Sequence, residues 1–274
     1  LQDLLGDDAH VAVEYWGVTA RGNFEGANIL SAPNDDDVIA GRLGITVDEL
    51  KAKLTAIKDT LFAARTQRVH PGLDDKILTA WNGLMLASLS EAARVLKRAD
   101  YHDAAVRCAE FLIARMTTAD GRLLRTYRDE QAKIDAYLED YAALIDAFLE
   151  LYQTTFDERW FDHARSLADG VLSRFRAPDG GFFDTSDDHE NLIARPRGLQ
   201  DNATPAGSSL IARGLIELTA YTGNVDYIDA ASGALKLLTA AMREYPQAFG
   251  EALNAVDMAV QGVAEIAIVG APDD

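Results

Sequence analysis

Five aspartates, Asp74, Asp75, Asp140, Asp184 and Asp201, fall at expected helix mouths or in loops beside them. Glycoside hydrolysis needs two carboxylates, about 5–5.5 Å apart for retention and about 6.5–9.5 Å apart for inversion. Trp81, Tyr127, Tyr137, Tyr141 and Phe182 offer flat apolar surface beside polar groups, as a sugar pocket uses, and Asn82, Arg125 and Asn202 add hydrogen-bonding capacity. Asp75 and Asp140 are the expected acid and base, with Asp201 and these aromatic and polar residues around the substrate. Each residue has a plainer rival role. An Asp at such a place caps a helix or makes a turn, and an aromatic at helical spacing packs in the core.

The stretch RTYRDEQAKIDAYLEDYAALIDAFLELYQTT (125–155) must position the centre of that constellation. It reads as a polar hairpin feeding a long helix that is apolar on more than one side, the mark of an inner helix covered by others. With ~3.6 residues per turn, Glu139, Asp146 and Glu150 share the one polar face, whereas Asp140 lies with Tyr137, Leu144 and Phe148 on an apolar one. A carboxylate there is costly to bury without partners. It is either a first-turn cap held by free amides and the helix dipole, or part of a site.

Other chemistries find little support. None of the five histidines stands in a paired motif; His102 and His163 fall on the polar sides of outer helices, and His70 and His189 in loops. This counts against epimerisation by a histidine base. Asp184, Ser186 and Asp188 begin like a calcium loop, but His189 and Arg195 stand where it needs Gly and Glu. No phosphate loop, dinucleotide glycine motif or zinc spacing occurs, so neither metal nor cofactor is expected. A net charge of −18 argues against nucleic acid and anionic membranes as partners. No apolar run of about 18 residues occurs, so no membrane span is expected. The single Cys108 allows no intrachain disulfide, which fits a reducing, cytoplasmic setting.

Along the chain, two-sided apolar helices alternate with one-sided ones. Residues 10–16 are helical, 17–45 are loops, solvated around Asp35–Asp37, and Thr46 with Glu49 predicts a capping box opening a helix to about Ala64. After Pro71-Gly72, Asp74 or Asp75 caps an inner helix in which Gly83 predicts close packing. Outer helices follow near Tyr101, Glu158 and Val225, and inner ones near Tyr137, Thr204-Pro205 and Phe249. A loop of about thirty residues runs from Arg176 to Ala206, a length that is uncommon unless functional or disordered. VAEIAIVG predicts a closing strand. Inner helices covered by outer ones, with long loops at one end, describe an all-α toroidal α/α barrel.

The segments GNFEGANIL, HPGLDDKILTAWNGLM, GRLLRTYRDEQAKIDAYLEDYAALIDAFLELYQTTFD, GGFFDT and RPRGLQDNATPAG resemble the thioredoxin-domain-containing, spermatogenesis-associated protein family. The family's helical part is similar to six-hairpin glycosidases and to acylglucosamine and cellobiose 2-epimerases. The resemblance implies an (α/α)6 toroid with a carbohydrate-like pocket, and an N-terminal thioredoxin-like domain that this sequence lacks. Eight or nine helical segments fall short of twelve, so residues 1–274 are expected to be one partial barrel domain of a longer protein. Ser208 stands where the family has Asn, and Glu130 where it often has Gly at the hairpin turn. Two functions remain open. One is a carbohydrate-active barrel, a glycoside hydrolase or a sugar isomerase or epimerase using mouth carboxylates. The other is a non-catalytic barrel that binds a ligand or partners a thioredoxin-like domain. Convergent carboxylates favour the first, and carboxylates locked by arginine or amides the second.

Overall fold

The computed structural model describes residues 1–190, 193–264 and 266, which divide into two units, Leu1–Asp74 and Asp75–Asp274. The first holds α1 (Gln2–Leu5), α2 (Ala9–Tyr15), α3 (Asp36–Leu43) and α4 (Val47–Thr66). The capping box opens α4: the Thr46 amide donates to Glu49 Oε2 at 2.8 Å, and the Glu49 amide to Thr46 Oγ1 at 3.2 Å. Leu50, Leu54 and Ile57 of α4 pack with Val11 and Ile39 in a small core. The stretch expected as a solvated loop around Asp35–Asp37 instead starts α3. Asp36 and Asp37 sit in its first turn, where negative charge suits the helix dipole.

In the second unit β1 (Ile77–Leu78) precedes α5 (Thr79–Leu96) and α6 (Ala99–Met116). The hairpin β2 (Leu124–Arg128) and β3 (Gln131–Asp135) leads to α7 (Leu138–Thr155). Then come α8 (Glu158–Arg174), α9 (Gly207–Thr222), α10 (Val225–Glu244) and α11 (Gly250–Gln261). Helices α5, α7, α9 and α11 stand side by side as an inner row, and α6, α8 and α10 cover α5, α7 and α9 from outside. The outer helices are amphipathic. Trp160, Ala164, Leu167, Ala168 and Val171 form the buried stripe of α8.

Burial follows position in the row. Helices α7 and α9 are buried on nearly every side. The expectation that α5 and α11 are equally enclosed is not met: each has an inner neighbour on one side only, α7 and α9 respectively. Trp81 and Met85 of α5 stay 64% and 59% exposed, and Val260 of α11 stays 77% exposed.

The sheet is antiparallel in the order β1-β2-β3, with Ile77 opposite Tyr127 and Leu78 opposite Thr126. Asp129 and Glu130 have φ of 49° and 58°, so the hairpin makes a type I′ turn without a glycine. Neither Asp74 nor Asp75 caps α5, because β1 intervenes and Leu78 is the N-cap. Likewise α9 starts at Gly207 rather than at the Thr204-Pro205 step. The connection 176–206 carries no helix or paired strand among the described residues, apart from one bridge between Arg176 and Phe182. The closing strand expected over 263–270 lies mostly outside the described residues.

Gly83 lets α5 approach α7: a Cβ there would lie 2.9 Å from the Ala143 carbonyl carbon. Gly83→Ala gains about 1 kcal/mol of helix propensity but overpacks against backbone. The expected net effect is a loss of about 1–3 kcal/mol, read from the urea midpoint. Gly41→Ala in α3, where a Cβ meets nothing within 4 Å, should stabilise its unit instead.

Candidate functional site

The mouths of neighbouring inner helices share capping carboxylates. Asp140 is fully buried, and its carboxylate accepts the Ala80 amide at the start of α5 at 2.9 Å and the Tyr137 amide before α7 at 2.9 Å. Arg125 on β2 reaches the same carboxylate at 2.9 Å and Glu139 Oε1 at 2.7 Å. Burial pushes the Asp140 carboxyl up, against the pull of Arg125 and the two amides. Asp201 repeats the device. It accepts the Ala206 amide before α9 at 2.8 Å, and the Glu251 and Ala252 amides of α11 at 2.9 and 3.2 Å. Asp140, local to α7 as the acid of its capping box, thus joins the mouths of α5 and α7, and Asp201, just before α9, joins those of α9 and α11.

Between these two pairs, where α9 meets α7, lies a cavity of about 210 Å³. Gly207 permits the approach, since a Cβ on it would sit 2.8 Å from the Glu139 nitrogen. Tyr137, Glu139, Asp184 and Gly198 line one part of the cavity, and Gln200, Asn202, Thr204, Pro205, Ala206 and Gly207 the rest. The connection 176–206 brings Asp184 here. Its carbonyl accepts the Leu138 amide of α7 at 2.8 Å, and its carboxylate takes the Gly198 amide at 2.7 and 3.0 Å. Ser208 serves the same segment by donating to the Gly198 carbonyl at 2.9 Å. Burial pushes the Asp184 carboxyl up, the Gly198 amide opposes this, and the nearby charge of Glu139 adds to it.

Of the residues expected at a site, Tyr137 and Asn202 line this cavity, and Arg125 holds its wall through Glu139. The Arg125 guanidinium also lies 4.4 Å from the centre of the Tyr137 ring, and His189 packs against that ring at 5.7 Å. Asp140 and Asp201 stand behind the wall as caps. Asp75 does not line the cavity; it pairs with Arg128 at 2.8 Å. Asn82 donates to the Leu78 carbonyl of its own helix, and its neighbour Trp81 is exposed. Tyr127 packs edge-on against Phe111. Tyr141 is buried, its hydroxyl accepting the Leu123 amide and its ring against Phe175. Phe182 is a core residue. The expected set omitted Glu139, whose polar stripe was its only signal, and named Asp184 among the five candidate aspartates without choosing it as acid or base.

A second group of charges lies deeper, on the facing sides of α7, α9 and α11. Arg213 contacts Asp146 at 2.6 Å and Glu251 at 3.4 Å, and Gln153 donates to Glu217 at 2.8 Å. Burial pushes Asp146 up to about 6 and Glu217 up to about 7. Among the described residues, no group of His, Cys, Asp or Glu is placed to hold a metal ion, and no helix is long and apolar enough to cross a membrane.

The arrangement is that of the α/α-toroid glycosidases and epimerases. Cellobiose 2-epimerase from Bacillus thermoamylovorans superposes with a TM-score of 0.51, at 16% identity, over 62% of this chain and 46% of its own. The GH76 α-mannanase from Bacteroides thetaiotaomicron gives 0.50, at 14% identity, over 86% and 68%. No family model matches the chain. Human spermatogenesis-associated protein 20 is 31% identical over 261 residues, and the chain is its homologue across 91% of its own length. The chain spans about a third of that relative, 33%.

Two outcomes follow for stability. Asp140→Asn keeps the size but removes the charge and one acceptor from a buried pair. It should cost about 2–4 kcal/mol by urea titration, with loss of α5 and α7 mouth protection in hydrogen exchange. Asp146 and Glu217 hold protons more tightly folded than unfolded. Their stabilisation is complete below the ordinary carboxyl values of 3.8 and 4.5, and is lost as pH climbs through about 6 and about 7. The protein should therefore gain on the order of 1–3 kcal/mol between about pH 8 and about pH 5, and Glu217→Gln should flatten that gain.

Proposed function

We propose that this chain carries the acid–base site of a sugar-active α/α barrel, with Glu139 and Asp184 as the working carboxylates. The observation that carries this reading is that both line one cavity at the N-terminal ends of α7 and α9. Their environments push their roles apart. Asp184 has no arginine in hydrogen-bond contact, and its burial favours the protonated form suited to a general acid. Glu139 is paired with Arg125 at 2.7 Å, a contact that orients its carboxylate at the cavity wall for the part of base or nucleophile. Tyr137, Asn202, Gln200 and Thr204 would hold sugar hydroxyls around them. Proteins of the same fold include, by name, a cellobiose 2-epimerase and an α-mannanase; this is support by analogy of fold alone. Asp75 and Asp140 are given no such role in this proposal, since neither lines the cavity.

Glu139→Gln and Asp184→Asn test the assignment. Turnover on a panel of p-nitrophenyl glycosides, and aldose interconversion followed by NMR, should each fall about 10²-fold or more in either variant. Sugar binding without turnover in the unmodified chain would instead favour a non-catalytic binding barrel, a reading supported by the arginine contacts of Asp140 and Glu139 and the Gly198 amide on Asp184.

A further inference from the structure

We infer that the cavity takes one uncharged sugar ring and turns away sugar acids and sugar phosphates; this rests on the sugar-site reading and adds the class of sugar. Its volume of about 210 Å³ lies below the ~300 Å³ where pockets for drug-sized ligands begin. That leaves room for a single ring with its hydroxyls.

Charge decides the class. Among the described residues the cavity wall holds two carboxylates, Glu139 and Asp184, and no cationic side chain. The nearest arginines are already engaged. Arg125 is shared between Glu139 at 2.7 Å and Asp140 at 2.9 Å. Arg197 is held by Asp179 at 2.5 and 3.1 Å and by the Phe182 carbonyl at 3.0 Å. The ends of α7 and α9 supply only partial positive charge, ~0.5 each, and the Tyr137 amide before α7 is spent on Asp140.

Hydrogen-bond polarity points the same way. An ionised carboxylate only accepts and a protonated one both donates and accepts, so the ligand must bring a donor to Glu139 and either a donor or an acceptor to Asp184, the acid of the pair. Sugar hydroxyls do; a uronate carboxylate or a phosphate brings further acceptors and like charge to a partly desolvated wall. Such juxtaposition is the repulsive half of specificity. Gln200, Asn202 and Thr204 can donate or accept and so match hydroxyls in either sense.

Calorimetric titration of the full chain tests this with D-mannose, D-glucose and N-acetyl-D-glucosamine against D-glucuronate and glucose 6-phosphate at matched ionic strength. At least one neutral sugar should bind, and each acid about 10-fold or more weaker than it. Asp184→Asn and Glu139→Gln should each narrow that ratio several-fold. An acid that binds as tightly as the neutral sugars overturns the inference and leaves the sugar site standing. A ratio unmoved by both substitutions also overturns it, because the discrimination would then arise elsewhere. If no sugar of either kind binds, the sugar-site reading falls and this inference falls with it.

Discussion

The Asp140 carboxylate is the contact on which the second unit turns. With no exposed surface, it meets amides at the mouths of two helices and an arginine from the hairpin. The four N-terminal amides of a helix have no partners within it, and an inner helix cannot solvate them. A local cap would satisfy one helix; a carboxylate shared between neighbours satisfies two and fixes their spacing. Burying that charge is costly alone, which is why Arg125 and both amides come with it. The hairpin is thereby part of the mouth rather than an appendage. Thr79 reinforces the link, its hydroxyl donating to the Leu124 carbonyl at 2.6 Å.

Asp201 performs the same service for α9 and α11, and the cavity falls at the seam neither aspartate spans. That seam is closed instead by backbone: Gly207 against Glu139, and the Leu138 amide on the Asp184 carbonyl. A site placed there gains rigid walls from both capped pairs while keeping two carboxylates free of cap duty. Arg125 couples the two functions. Its contact with Asp140 belongs to the fold, and its contact with Glu139 belongs to the cavity. The group around Arg213 shows the contrasting case, in which Asp146 and Glu217 are buried and raised in pKa beside a shared arginine.

Local order was legible from residue patterns alone. Thr46 and Glu49 announced α4 because a capping box needs only four consecutive residues. The caps of the outer helices are similarly local, Asp157 on the Arg159 amide and Asn224 on the Asp226 amide. The alternation of enclosed and one-sided helices followed from apolar periodicity, and Gly83 foretold a close approach before its partner Ala143 was known. The α3 helix was missed because its acidic first turn looks the same as a solvated loop.

What residue patterns determined by themselves, then, are the long helices and their alternation along the second unit, because periodicity and short-range capping are properties of neighbouring residues. Only the tertiary structure decided what each carboxylate does. Asp75, Asp140, Asp184 and Asp201 are alike as helix-mouth aspartates in sequence, yet their partners come from elsewhere: Arg128 from the hairpin, Ala80 from 60 positions away, Gly198 from across a loop, Glu251 from 50 positions on. A carboxylate's role is set by which donors surround it and how much water remains. Those quantities exist only once the helices α5, α7, α9 and α11 stand beside one another.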